Sequence, residues 1–210
     1  MATLISGATG IDKVQDSSIT SAKIADGAIT NTDINSSAAI AGTKLVMPTG
    51  SVLQVVTGEL TSYVSLSTQS WQNTGLSGTI TPSSTSNKIL ITVSFGGAQT
   101  TQSNGDHTFS MRLLRNSSDS DLNGVADGIR PRALFSQGGH SYNAGHFLGG
   151  FSITGLDAPS TTSAITYSVQ GWPQSSSYPL ILNGPSNNSN ESQTYSSRTK
   201  AIITMMEIAG

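Results

Sequence analysis

Between residues 18 and 45 the chain reads SITSAKIADGAITNTDINSSAAIAGTKL, with an isoleucine or leucine at 19, 24, 29, 34, 40 and 45 and small or polar residues between them. No other feature narrows the fold so much. A helix facing a core repeats its apolar positions every three to four residues, and a half-buried strand every two. Residues five apart lie about 140° from each other around a helix and on opposite faces of a strand. Gly27, Gly42, Asn31, Asn35 and the pair Ser36-Ser37 are poor helix formers, whereas Thr and Ile favour extended backbone. The pentad therefore predicts an extended, turning chain.

Such a chain needs neighbours. Burying one isoleucine contributes about 1.5–3 kcal/mol, while ordering five residues costs about 7 kcal/mol at roughly 1.5 kcal/mol each. A solenoid of the pentapeptide-repeat kind uses about four pentads per coil and needs several stacked units. Six apolar positions fall short of that. Three identical chains wound together supply the same residues three times over. The expectation is a trimeric stem with Ile19, Ile24, Ile29, Ile34, Ile40 and Leu45 turned to the shared axis, and Lys23, Asp26, Asp33 and Lys44 outside.

The pattern changes at Met47-Pro48-Thr49-Gly50, which places one segment at 1–47 and a second at 48–210. From there on, short runs rich in Val, Ile, Thr, Phe and Tyr alternate with turn clusters. They are SVLQVVT from 51, YVSLS from 63, GTITP from 78, KILITVSFGG from 88, HTFSMRLLR from 107, HFLGGFSITG from 146, SAITYSVQGW from 163, YPLIL from 178 and TKAIITMMEIA from 199. Without helical periodicity between them, these strands predict an all-β, antiparallel sandwich or jelly roll rather than a βαβ design. In KILITVSF, Ile89, Ile91, Val93 and Phe95 share one face and are assigned to the core. Of Met205 and Met206, which face opposite ways on a strand, one packs in the core and the other on a neighbouring sheet or protomer. The polar stretches at 100–107 and 184–192 read as long connections, and the glycine pairs at 96, 138 and 149 as bulges or close strand approaches.

Charge removes several function classes. Only 10% of residues are charged and the net charge is -2, so no basic stripe offers itself to nucleic acid or an anionic membrane. No apolar run reaches the 18 or so residues that cross a bilayer, and MATLISGATG lacks the basic and apolar regions of a signal peptide, which points to synthesis in a cytoplasm. The absence of cysteine excludes disulfides and thiolate metal sites.

Five phrases together resemble bacteriophage virion fibre proteins, particularly those of cyanophages and other marine phages: GIDKVQDSSITSAKIADGAIT, MPTGSVLQVV, TGLSGTITPSSTSNKILITVSF, ITYSVQ and the closing ITMMEIAG. The resemblance covers most of the chain. It implies a homotrimer in the virion, made in the host cytoplasm. A slender N-terminal shaft would dock on other virion proteins, and a β-sandwich head similar to C1q-like and tumour-necrosis-factor-like jelly rolls would be exposed for host-surface recognition. A capsid head fibre or cement protein that stabilises the shell has the same architecture and stays open beside the tail fibre.

Candidate sites are few. DSDLNGVADGIR puts Asp119, Asp121, Asn123, Gly124 and Asp127 at positions 1, 3, 5, 6 and 9 of a calcium-loop pattern, but Arg130 stands where a bidentate glutamate is expected. Two readings remain: a Ca2+ site on Asp119, Asp121, Asn123 and Asp127 completed by a ligand from elsewhere, or a connection that simply turns the chain. His107, His140 and His146 have no metal-ligand spacing, and no nucleophile-elbow, phosphate-loop or dinucleotide fingerprint occurs. Glycoside hydrolysis needs a carboxylate pair. From residue 51 on, the carboxylates are Glu59, Asp106, Asp119, Asp121, Asp127, Asp157, Glu191 and Glu207, three of them in the loop just described. Phage depolymerase spikes tend to carry long β-helices, for which this chain has no room, so a non-enzymatic role is expected over a glycan-degrading spike. Carbohydrate binding would use aromatic faces in polar surroundings, for which Trp71, Tyr142, Trp172 and Tyr178 are the candidates.

Overall fold

The structure, a computed structural model, describes residues 20, 22, 24–40, 45–100, 108–138, 149–185 and 197–210. Ile19, Lys23, Lys44, Tyr142, the three histidines and the loop residues 101–107 and 186–192 lie outside the described residues. The chain divides into two units, Met1–Val46 and Met47–Gly210.

In the first unit the pentad is a repeated turn. The carbonyls of Ala25, Thr30 and Asn35, each the residue after an isoleucine, accept the N–H three residues on, from Ala28, Asp33 and Ala38, at 2.9, 3.0 and 2.8 Å. Polar side chains hold these turns. Asp33 accepts from the Thr30 N–H at 2.8 Å and from its hydroxyl at 2.7 Å, closing a single 3-10 turn over Asn31–Asp33. Those two bonds, the backbone one foremost, keep the Asp33 carboxyl below the ordinary carboxylate range. Asn35 accepts from the Ser37 N–H at 2.8 Å. The large side chains between the turns are only half covered in the single chain: Ile24, Ile29, Ile34, Ile40 and Leu45 are 41–56% exposed.

The second unit is all-β. Its strands are β1 (Val52–Leu60), β2 (Val64–Leu66), β3 (Gln72–Ile80), β4 (Lys88–Thr100), β5 (Thr108–Arg115), β6 (Ser118–Asp119), β7 (Phe135–Gly138), β8 (Gly149–Asp157), β9 (Ile165–Pro173), β10 (Leu180–Leu182) and β11 (Ala201–Ile208). The nine runs expected from sequence are all present; β6 and β7 are additions. Every pairing is antiparallel. The first sheet runs β1-β11-β4-β10-β2 with β8 on β4, and the second runs β3-β9-β5-β6 with β7 on β5.

Alternation dictates which face each strand buries. Ile89, Ile91, Val93 and Phe95 of β4, Ala201, Ile203 and Met205 of β11, Phe109, Met111 and Leu113 of β5, and Ile165, Tyr167 and Val169 of β9 belong to one buried cluster. Both sheets therefore feed a single core. Met205 is inside it, while Met206 is only partly covered on the opposite face. At Gly58 the two sheets are in close contact: a Cβ there would lie 1.8 Å from the Ser77 carbonyl oxygen, so β1 can approach β3 only without a side chain. The pair Gly96-Gly97 sits where the β4–β8 register slips between Phe95 and Ala98, as expected of a bulge.

Facing away from the core, the first sheet has two dissimilar rows. Val55, Met206, Leu90 and Leu156 stand opposite one another across β1, β11, β4 and β8. The next row outward is Thr57, Thr204, Thr92 and Thr154, with a Thr92–Thr154 hydroxyl contact of 2.9 Å.

Two buried carboxylates are handled differently. Asp157, 3% exposed at the end of β8, accepts the Tyr167 hydroxyl at 2.5 Å and receives Arg115 Nη1 on both oxygens at 2.8 and 3.0 Å. One side chain of the first sheet thus clamps two strands of the second. Burial and the bond to Asp157 both push the Tyr167 phenol upward. Glu207, 1% exposed, takes hydrogen bonds instead of a cation: Asn87 Nδ2 and Gln54 Nε2 at 2.6 Å each, the Ser83 N–H at 2.6 Å and the Ser83 hydroxyl at 2.8 Å. Burial alone would raise its pKa, but the donors from Asn87, Gln54 and Ser83 prevail and hold it below the ordinary value.

That shift has a sign for stability. With a folded pKa below the unfolded one, Glu207 contributes stability that is present above the unfolded value near 4.5 and is lost as pH falls through the folded value. We expect the melting temperature to drop as pH falls below about 4.5. Glu207→Gln, whose amide meets the same donors with one acceptor fewer, is expected to melt lower at pH 7 and to show a shallower acid dependence. Parallel pH–melting curves for the two proteins would refute this assignment.

Candidate functional site

Among the described residues, the outward face of the second sheet brings together two tryptophans and a row of polar side chains. Outward positions alternate with Thr74, Leu76, Val169, Gly171, Met111 and Leu113, all buried. Register then decides what meets. Gln72 pairs with Gly171 and Asn73 with Gln170, which sets Trp71, one residue before β3, opposite Trp172. The two indoles touch edge to face, with centroids 5.4 Å apart and planes at 88°. Both are partly exposed. Two of the four aromatic residues proposed for glycan contact are thus brought together from strands a hundred residues apart.

The next row is polar. Asn73, Gln170 and Arg112 lie side by side across β3, β9 and β5. Arg112 Nε and Nη2 both donate to Gln170 Oε1, at 2.9 and 2.7 Å, and Gln170 Nε2 donates to Asn73 Oδ1 at 2.9 Å. Arg112 Nη1 donates to Asp119 Oδ1 at 3.0 Å. The guanidinium carbon also lies 4.6 Å from the Trp71 ring centroid, a cation–π contact that joins the polar row to the aromatic pair.

A bulge turns this face into a groove. Between Asn73 and Ser77 the β3–β9 register slips, so that Thr74, Gly75 and Leu76 together oppose Val169. Thr74 and Leu76 turn inward, the Thr74 hydroxyl donating to the Val169 carbonyl at 2.8 Å and accepting the Leu76 N–H at 3.1 Å. Gly75 completes the turn at φ +90, where other residues are strained. The resulting groove has a volume of about 460 Å³, lined by Asn73, Ser77, Arg112, Ser117, Ser168 and Gln170 among others.

The other sequence candidates lie elsewhere. Tyr178 is half-buried in the turn Ser175–Tyr178. In the calcium-like loop the four side chains are engaged with other partners, and of the four only Asn123 and Asp119 touch, Asn123 Nδ2 lying 3.5 Å from Asp119 Oδ1. Asp119 is held by Arg112; Asn123 brackets Leu113, accepting its N–H at 2.8 Å and donating to its carbonyl at 2.7 Å. Asp127 pairs with Arg130, and Asp121 is 84% exposed with Arg115 at 4.0 Å. Among the described residues no group of three or more His, Asp or Glu side chains is placed to hold a metal ion.

Sequence reasoning missed Arg112, Gln170, Asn73 and the bulge. The signal it could have used is the alternation in ITYSVQGW, where Ser168, Gln170 and Trp172 share the face opposite Tyr167 and Val169. No protein-family model matches the chain, and no curated protein matches it.

Proposed function

We propose that this chain is the subunit of a homotrimeric phage fibre, a structural protein of the virion whose N-terminal stem docks on the particle and whose β head recognises the host surface. The single observation that carries the reading is the pentad. Three successive turns, repeated every five residues, leave Ile24, Ile29 and Ile34 between 41 and 56% exposed in the single chain. A segment with so little apolar surface per copy is ordered by sharing it with other copies.

In this reading the two sheets are the layers of a jelly-roll-like β-sandwich, and the row Val55, Met206, Leu90 and Leu156 is a contact between heads. Such a row of apolar side chains on an otherwise hydroxyl-rich face suits a protein interface. The grooved face of the second sheet, with its two indoles, is the host-facing surface. A phage fibre head touches envelope glycans, whose rings offer C–H faces to indoles and hydroxyls to amides.

Sedimentation of the purified chain, followed by labelling intact particles with antibody to the head, tests the proposal. Three copies per assembly and label on the tail are the expected results. A monomer overturns the fibre reading. Label on the capsid replaces the tail fibre by a capsid head fibre or cement protein.

A further inference from the structure

The hydrogen bonds across the grooved face run in one direction. Arginine can only donate, so the atom of Gln170 that faces Arg112 has to be its oxygen. That oxygen receives both Nε and Nη2 of Arg112 and is filled. The Gln170 amide nitrogen must then point the other way, to β3, where it meets Asn73 Oδ1. Orientation therefore passes from the guanidinium through one amide to the next.

The consequence is a surplus of donors. Both amides spend oxygen acceptors on the row itself. What remains for a ligand is both hydrogens of Asn73 Nδ2, the second hydrogen of Gln170 Nε2 and the guanidinium hydrogens that neither Gln170 nor Asp119 takes, against one lone pair of Asn73 Oδ1 and the free acceptor sites of Asp119 at the far end of the row. Ser77, Ser117 and Ser168 beside them can donate or accept. A sugar hydroxyl can accept from such a row, but its own hydrogen finds few acceptors there. A carboxylate only accepts, carries charge, and gains charge-assisted hydrogen bonds from it.

From this we infer that the groove binds an acidic polysaccharide, with a uronate carboxylate on the Arg112–Gln170–Asn73 row and a neighbouring sugar ring against Trp71 and Trp172. The inference rests on the reading of this face as the host-facing surface and names the class of glycan it takes. The bulge makes room for the ligand beside the row, and the indoles fix the end at which a ring's C–H face lies. Arg112, held by Asp119, Gln170 and Trp71, is already in its binding pose, so little side-chain freedom is lost when a ligand arrives.

Titration calorimetry on the intact protein tests this, with oligogalacturonate and oligoalginate as probes and their carboxyl-reduced counterparts as controls. The acidic oligosaccharides should bind, and the reduced ones should bind at least about ten-fold more weakly. Asn73→Asp keeps the size of the side chain and an acceptor for Gln170 but faces the ligand with a negative charge. It should weaken acidic binding at least about ten-fold more than it weakens binding of the carboxyl-reduced forms. Trp172→Ala should weaken both, with melting curves confirming that each variant is folded. Equal binding of acidic and reduced forms, untouched by Asn73→Asp, would overturn the acidic specificity and leave the face a neutral-glycan site. If the folded protein binds none of these glycans, both the specificity and the glycan role of the face fall, whereas the fibre reading is decided separately by sedimentation and labelling.

Discussion

Asp157→Ala is expected to cost about 3–5 kcal/mol of stability, the range found when one member of a buried ion pair is removed. The argument lies in what is left behind. Tyr167 is fully buried, and its hydroxyl would lose its acceptor in the core. Arg115, about one third exposed, would lose its closest carboxylate and keep only the looser contact with Asp121. Because Asp157 ends a strand of the first sheet while its partners belong to two strands of the second, the damage falls on the contact between the two sheets. Urea denaturation measures the loss. Removing the stranded hydroxyl as well, in Asp157→Ala with Tyr167→Phe, should recover part of it, since the double change leaves fewer orphaned groups. If the double variant is less stable than the sum of the single changes requires, the clamp is not the origin of the effect.

The second large effect concerns assembly. On the proposed trimeric reading, Ile29→Asp should abolish ordering of the N-terminal segment. In a trimer the change sets three carboxylates close together in an apolar place, several kcal/mol worse than the same change on an open surface. Ile29 follows one pentad turn and precedes the next, so the substitution leaves the local hydrogen bonds of both turns available and removes only the shared apolar contact. Asp26→Ser, in the same pentad but assigned to the outside, is the control and should change little. Sedimentation velocity, with limited proteolysis of residues 18–45 as a second readout, distinguishes the two. Unaltered assembly and unaltered protection in Ile29→Asp would remove the isoleucines from the axis.

Strand positions were legible because they depend on alternation alone. Ile89, Ile91, Val93 and Phe95 could be assigned to one face by parity, and all four are buried. β6 and β7 escaped because Ser118–Asp119 and Phe135–Gly138 are too short for any period to emerge, and they exist only by pairing with β5. The grooved face was half legible. Composition marked Trp71 and Trp172 as aromatic residues in polar surroundings, but that they meet depends on the register of two distant strands. The same holds for the alignment of Arg112, Gln170 and Asn73, and for a bulge whose only trace is one glycine inside a strand. In the pentads the spacing excluded helix and strand, while the turns that follow Ile24, Ile29 and Ile34 needed backbone geometry to be seen.

The threonine and serine pairs across both sheets have an effect of their own. Thr92–Thr154, Ser94–Ser152, Thr79–Thr166 and Ser110–Ser136 join neighbouring strands on their outer faces through hydroxyls 2.8–3.2 Å apart. A neutral hydroxyl pair is not weakened by dissolved electrolyte as a surface ion pair is. Added salt is therefore expected to leave these outer contacts unchanged while it weakens ion pairs such as Arg112–Asp119 on the same surface.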